Sequence, residues 1–209
     1  MKKGFSAWAE YLGERSKEGV PFLGRLKGKK VLDMGCGDGV HLAIDPENWV
    51  GVDINENTVR IAREKGYNVH RGSVTECPFE DGSFDAIVAY QIIEHLGSSD
   101  AYAMLSEISR LLKEGGVAYI TSPMPSRVWS TFTHIRPYPP EAIQKILTYE
   151  VKETLSRIKG LQIDYVLYFG PRLKIFGRDV PFAGAAINLI ANVTPFLRRG
   201  YLIRLKRVF

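Results

Sequence analysis

Val31-Leu32-Asp33-Met34-Gly35-Cys36-Gly37-Asp38-Gly39, followed at the next apolar run by Trp49-Val50-Gly51-Val52-Asp53-Ile54, carries more structural information than any other part of the chain. Both runs are short and apolar without alternation, which suits strands buried on both faces of a parallel sheet. Each ends in an acidic residue, and the first then breaks into glycines. Glycine removes a Cβ where backbone must pass close under a ligand. In open α/β sheets ligands bind beyond the carboxyl ends of the strands, where strand order reverses. Gly35 and Gly37 are therefore the expected floor of a ligand site, with Gly39 closing the loop.

Working outward, Asn55 caps a helix whose apolar side is Val59, Ile61 and Ala62 and whose stop is Gly66. Residues 67–70 read as a third strand and Phe84 to Tyr90 as a fourth. A helix capped by Ser98 or Ser99 follows, with Tyr102, Leu105, Ile108 and Leu112 on one face and Gly115-Gly116 at its end. Val117 to Thr121 make a fifth strand. Residues 123–140, rich in Pro, Ser, Thr and aromatics, form a long connection of the kind that serves as a lid. Pro139-Pro140-Glu141 opens a helix with Ile143, Ile146, Leu147, Val151, Leu155 and Ile158 in period, closed by Gly160. Ile163 to Phe169 and Tyr201 to Phe209 complete the count. The expected fold is α/β: a doubly wound, mostly parallel seven-stranded sheet with helices on both faces. The helix that should follow the first strand is shortened, because only nine residues separate Gly39 from Trp49.

A dinucleotide-binding dehydrogenase would carry G-x-G-x-x-G, but the position of its third glycine is Val40. The pattern instead resembles the class I methyltransferase family, whose first strand ends in an acid and a G-x-G-x-G loop and whose second ends in an acid that grips a ribose. The resemblance runs from about residue 28 to residue 122. It includes Gly72-Ser73-Val74, Pro78 to Asp85, Glu94-His95 and Leu111-Leu112-Lys113-Glu114-Gly115-Gly116, and it is closest to the small-molecule and quinone-biosynthesis type (methyltransferase type 11). It implies S-adenosylmethionine as cofactor, with Asp33, Gly35, Cys36, Gly37, Gly39, Asp53, Ile54, Ser73, Val74, Tyr90 and Gln91 around it. Asp53 would accept from both ribose hydroxyls and Asp33 would organise the methionine amino end. Many members carry Asp where this chain has Ser73, so the adenine amine would meet a hydroxyl or a backbone carbonyl. Tyr90 would offer an aromatic face to the sulfonium.

If the acceptor is a hydroxyl, His134 in the lid is the candidate catalytic base. Glu94 and His95 read as a structural hydrogen-bonded pair. Some quinone-pathway relatives hold a divalent cation with E-x-x-E-H in this turn; Gln91 replaces the first Glu, so no required metal is expected. The strand-four end lacks the Asn/Asp-Pro-Pro-Tyr type of motif that holds an amine, and basic residues are not interleaved with aromatics in the body. The expected partner is a small-molecule methyl acceptor rather than nucleic acid. A second reading is a catalytically inactive S-adenosylmethionine-binding regulatory or scaffold protein.

Bulk properties agree with one domain over residues 1–209: an N-terminal helix to residue 27 with Phe5, Trp8 and Leu12 in period, a cofactor core over 28–122, the lid over 123–140, and a C-terminal part over 141–209. The 209 residues carry 45% apolar and 24% charged side chains, as in an ordinary globular protein. Two cysteines, Cys36 and Cys77, suggest neither a disulfide framework nor a zinc site, and the amino terminus lacks a secretory signal. A cytoplasmic protein is expected. The net charge of +5 is concentrated beyond Pro171, where eight basic residues face one acid. Within that region Val180 to Leu197 is uncharged. It reads as a packed helix forming a wall of an apolar pocket, or as a peripheral contact with an anionic membrane.

Overall fold

The computed structural model describes residues 23–149, 156–170, 174–175, 178–179 and 190–208. The amino-terminal helix and most of the uncharged Val180 to Leu197 stretch lie outside the described residues. Strands β1 (Val31–Met34), β2 (Trp49–Asp53), β3 (Val69–Arg71), β4 (Phe84–Tyr90), β5 (Leu112–Pro123), β6 (Leu161–Phe169) and β9 (Gly200–Arg207) form one seven-stranded sheet. Its order is β3-β2-β1-β4-β5-β9-β6, with a separate two-stranded ribbon of β7 (Lys174–Ile175) and β8 (Arg178–Asp179). The first five strands run parallel, and β9 pairs antiparallel with both β5 and β6. Strand order reverses at β1, which lies between β2 and β4, so the glycine loop and the end of β4 share the switch point.

The apolar runs are explained by burial on both faces. Leu32, Met34, Val50, Val52 and Ile87 pack into one cluster with α2 (Ser98–Leu111) and α4 (Pro140–Thr148). Val31, Trp49, Ala86 and Val88 pack into a second with Val59 and Ala62 of α1 (Glu56–Glu64). The period-two alternation of strand side chains is thus present but invisible as polarity. Asn55 caps α1 as expected, accepting from Asn57 N and Thr58 N at 3.0 and 3.4 Å.

Several boundaries differ from expectation. In place of a first helix, a single 3₁₀ turn, His41–Ile44, covers the β1–β2 crossover. Gly97 rather than Ser98 or Ser99 occupies the N-cap of α2, and Ser98 Oγ accepts from Arg136 Nη1 of the lid. α2 ends at Leu111, and β5 begins at Leu112, before Gly115-Gly116. α4 stops at Thr148; residues 156–159 are not helical, and Ile158 N returns to donate to Ile146 O at 3.0 Å. Ile158 is buried through that return, not through helical continuation. A short helix, α3 (Pro125–Val128), opens the lid.

Candidate active site

The β1 loop hangs from β2: Gly35 N and Cys36 N both donate to Val52 O, at 2.8 and 3.1 Å. Gly35 adopts φ +73°, and a Cβ there would lie 2.9 Å from Ile92 side-chain carbons. Gly39 is confined in the same way, by the Tyr67 ring at 2.6 Å. Gly37, at φ +56°, has nothing within 4 Å of where its Cβ would stand, so it borders open space. Gly35 and Gly39 serve packing, and Gly37 supplies the clear approach.

Asp53 closes the loop from β2. Its Oδ2 accepts from Gly37 N at 2.8 Å and its Oδ1 from Asn55 N at 2.8 Å. Thr58 has a single hydroxyl proton and two acceptors, Asp53 Oδ1 at 3.2 Å and Asn55 O at 2.9 Å. A carboxylate offers about four acceptor positions. With the Thr58 proton on the nearer carbonyl, one position remains on each oxygen, which is what two adjacent hydroxyls require.

Asp33, at the end of β1, is 1% exposed, and no donor among the described residues completes a hydrogen bond to either of its oxygens. His41 Nδ1 stands 3.3 Å from Asp33 Oδ2, and the His41 ring meets the Tyr90 ring edge-on with centroids 5.1 Å apart. An underused buried carboxylate is costly in isolation, and this one sits where a cationic ammonium group of a ligand would complete it. His41 was not anticipated. It lies on the 3₁₀ turn that replaces the first helix, and a lone histidine there gives no spacing signal.

Other expected positions take different roles. The Cys36 thiol packs in the core; a Cβ on Gly51 would lie 2.4 Å from its sulfur, and burial raises its pKa far above the ordinary thiol value. Only its backbone is available to a ligand. Val74 is buried in the core, and Ser73 Oγ is 2.7 Å from Thr75 Oγ1 while accepting from Thr75 N at 3.1 Å. Ser73 therefore shapes its own turn. Ile54 is 72% exposed directly beyond Asp53, an apolar surface left beside the site.

At the β4 end Gln91 takes φ +53°, a left-handed conformation uncommon outside glycine. Its backbone N donates to Thr121 O at 3.1 Å. In the amide orientation that satisfies both ends, Nε2 donates to Glu94 Oε1 at 3.2 Å and the side-chain oxygen accepts from Ser122 N at 3.3 Å. The Gln91 side chain thus braces Glu94. Glu94 is fully buried, its Oε2 has no hydrogen-bond partner among the described residues, and burial raises its pKa above the ordinary carboxylate value. In place of the expected hydrogen-bonded pair with Glu94, the His95 ring engages the lid, its Nδ1 donating to Thr133 O at 3.1 Å. The His95 ring packs edge-on against the His134 ring, 4.7 Å between centroids, bringing the lid onto this turn. Ile135 N donates to Glu94 O at 2.8 Å and Tyr138 Oη to Leu96 O at 2.9 Å, fixing the same contact. A separate cavity of about 560 Å³, lined by Glu56, Val59, Arg60, Arg63, Glu64 and Arg71, holds none of these residues.

Residues 32–120 match the family described as Methyltransferase domain. The chain is 36% identical over 102 residues to a tRNA (carboxymethyluridine(34)-5-O)-methyltransferase of Xenopus tropicalis, covering 47% of this chain and 16% of that protein. It is 33% identical over 106 residues to a demethylmenaquinone methyltransferase of Staphylococcus aureus, covering 46% and 43%. In these matches the chain spans less than half the length of each relative. Among solved structures, a SAM-dependent methyltransferase from Archaeoglobus fulgidus superposes with a TM-score of 0.63 at 23% identity, covering 98% of this chain and 99% of that one. The fold is therefore shared, whereas the family match is confined to residues 32–120. With its Asp33-to-Gly39 loop and Asp53 at the end of β2, the core over residues 32–120 matches a methyltransferase domain, and the chain shares the fold of S-adenosylmethionine-dependent methyltransferases.

Proposed function

We propose that the protein transfers the methyl group of S-adenosylmethionine to a small, lipophilic acceptor that enters between the lid and the C-terminal segment. The observation that carries this reading is a set of exposed apolar side chains at the carboxyl ends of the parallel strands. Trp129, Phe132 and Ile135 of the lid and Ile190, Val193 and Phe196 of the C-terminal segment all lie open to solvent. The two segments are tied together where Met124 N donates to Arg199 O at 2.9 Å. Apolar groups gathered at a site mouth suit an apolar ligand or a membrane surface.

The cofactor supplies an electrophilic methyl on a sulfonium, so the protein's part is to bind, align and exclude water. Asp53, with one acceptor position open on each oxygen, would hold the two ribose hydroxyls. Asp33 and His41 would receive the methionine ammonium end, Gly37 would admit the backbone approach, and Ile54 would lie under the adenine. Tyr90, held by His41, would stand beside the sulfonium. For a hydroxyl acceptor His134 is the candidate base: its Nδ1 donates to Val128 O at 2.8 Å, which leaves the lone pair on Nε2.

A cytoplasmic location with peripheral contact to an anionic membrane fits the same apolar mouth with Arg198 and Arg199 beside it. No helix among the described residues is long and apolar enough to cross a membrane. The tRNA-modifying relative favours nucleic acid as a second acceptor class, although the match to it covers 47% of this chain and 16% of that protein. The test is methyl transfer from labelled S-adenosylmethionine to a panel of phenols and quinols with graded alkyl chains, with bulk tRNA alongside. Turnover rising with chain length supports the reading. Transfer to tRNA alone replaces the acceptor class, and binding of cofactor without transfer to any acceptor favours the inactive, regulatory alternative.

A further inference from the structure

His41 opens the 3₁₀ turn that covers the β1–β2 crossover and is 9% exposed. Its Nδ1 stands 3.3 Å from Asp33 Oδ2, and its ring meets Tyr90 edge-on. We infer that His41 is a proton-coupled positioning residue of the cofactor site: as imidazolium it balances Asp33 in the free protein, and it gives up its proton when the ammonium group of the cofactor takes Asp33. The inference rests on the reading of Asp33 as the partner of that ammonium. It adds a regulated step, the exchange of one cation for another on a single buried carboxylate.

The charges around the turn favour such an exchange. Asp33 is 1% exposed, and neither of its oxygens completes a hydrogen bond among the described residues. A buried carboxylate without a counter-charge is costly. The other acids nearby are engaged. Asp38 pairs with Lys65 Nζ at 2.6 Å, Asp53 accepts from Gly37 N and Asn55 N, and Asp45, which ends the turn, accepts from Gly28 N and the Asn48 amide. Arg25 lies on the neighbouring turn Leu23–Leu26, and the Tyr90 phenol belongs to the ring that His41 meets. The local field is negative: burial first, and then the charges of Asp33, Asp53 and Asp38, hold the Cys36 thiol far above its ordinary pKa. Imidazole is the side chain that changes charge near neutral pH, and His41 brings one to 3.3 Å from Asp33.

An arriving ammonium competes for the same carboxylate. Bound at an Asp33 oxygen, it would lie within about 4–6 Å of the ring, where a like charge disfavours protonation. One carboxylate neutralises one cation, so the ring becomes neutral imidazole and its proton goes to solvent. The neutral ring keeps its edge against Tyr90, so the exchange leaves that aromatic wall in place. Linkage gives the sign. Below the pKa of the ring, binding must discharge an imidazolium, so affinity falls by about tenfold per pH unit; above it, affinity is level.

The probes are S-adenosylhomocysteine, which carries the ammonium, and 5′-methylthioadenosine, which keeps the adenosine and the sulfur but lacks the amino-acid end. Each is titrated calorimetrically into the full chain from about pH 5.5 to about 7.5, the range in which imidazole titrates. Paired buffers of unlike ionisation enthalpy convert proton release into a difference in heat. S-adenosylhomocysteine should release up to one proton and bind about tenfold more tightly per unit on the acid side. 5′-Methylthioadenosine should release none and bind independently of pH; groups that titrate around the adenosine act on both ligands and cancel. His41→Asn retains an N–H donor without a charge and should abolish both the release and the slope. Because His41 is buried, the melting temperature of the variant is recorded first, and the two-ligand comparison on the wild type decides if the variant does not fold. Release that persists in folded His41→Asn, equal release with both ligands, proton uptake caused by a ligand carboxylate beside the ring, or pH-independent affinity overturns this inference alone. Failure of S-adenosylhomocysteine to bind at any pH overturns the cofactor reading, and the inference with it.

Discussion

Replacing Asp53 by asparagine separates the two tasks of that carboxylate. Gly37 N and Asn55 N each donate at 2.8 Å, to opposite oxygens. An amide has one acceptor and one donor end, so in either orientation one backbone N–H faces an NH₂ group. At a half-buried position this costs about 1 kcal/mol of stability. On the ligand side, one ribose hydroxyl loses its acceptor and the other loses the charge that strengthened its bond. Hydrogen bonds to charged groups contribute about 1.5–3 kcal/mol each, so the combined loss is about 2–4 kcal/mol, or roughly 30- to 1,000-fold in affinity. Asp53→Ala should fall at the upper end of that range. The assay is calorimetric titration with S-adenosylmethionine and S-adenosylhomocysteine, NADH as a control, and urea unfolding of each variant. Thr58→Ala supplies an internal check: its proton belongs on Asn55 O in the complex, so affinity should change by less than about threefold. Folded Asp53 variants that bind within threefold of wild type, or tight binding of NADH, would refute the assignment.

Gly35→Ala should destabilise the fold by about 1–3 kcal/mol in urea unfolding, because a Cβ meets Ile92 at 2.9 Å in a left-handed backbone. Gly37→Ala has room for the Cβ, so its stability loss should be about 1 kcal/mol while cofactor affinity drops at least tenfold; equal effects of the two variants on binding would contradict the division. Asp45 holds Gly28 N at 2.6 Å and the Asn48 amide at 3.0 and 3.1 Å, and the Gly28 bond foremost lowers its pKa below the ordinary 3.8. The resulting stabilisation is full above 3.8 and disappears as pH falls through the lower folded value, so the acid limb of stability should flatten in Asp45→Asn; an acid limb identical to wild type would refute this. Asp164→Ala removes the partner of Arg204 on β9, where both side chains are less than a quarter exposed, and should cost about 1–3 kcal/mol; a change below 0.5 kcal/mol in chemical denaturation would show that the pair contributes nothing.

The strands and the cofactor loop were legible because their determinants are local. Val31–Met34, Trp49–Asp53 and Phe84–Tyr90 have the bounds their apolar runs suggest, since burial on both faces keeps them apolar apart from Asp33, Asp53 and Asp85. Errors arose where a distant segment supplies what a local rule assigns to a neighbour. Ser98 looks like a helix cap but is engaged by Arg136. Ile158 continues the period of α4 in sequence, yet it is buried because the chain returns to Ile146. Leu112 sits on the helical stripe of α2 and opens β5 instead. The same limit applies to the site. Asp53 and the glycines lie within one βαβ unit and could be read from spacing, whereas the partnership of Glu94 and His95 with His134 depends on how a long lid lies down. His41 was hidden by the replacement of an expected helix with a 3₁₀ turn.

Gln91 joins the two halves of the site. On its amino side Tyr90 reaches His41 and, through it, Asp33; on its carboxyl side the chain turns to Glu94, His95 and the lid. A non-glycine residue at φ +53° costs on the order of 1 kcal/mol, and glycine would remove that cost. Glycine would also remove the amide that spans Glu94 Oε1 and Ser122 N, leaving a fully buried carboxylate without its brace. A buried carboxylate that loses a hydrogen bond forfeits about 1.5–3 kcal/mol, more than the backbone strain. The balance favours the strained side chain.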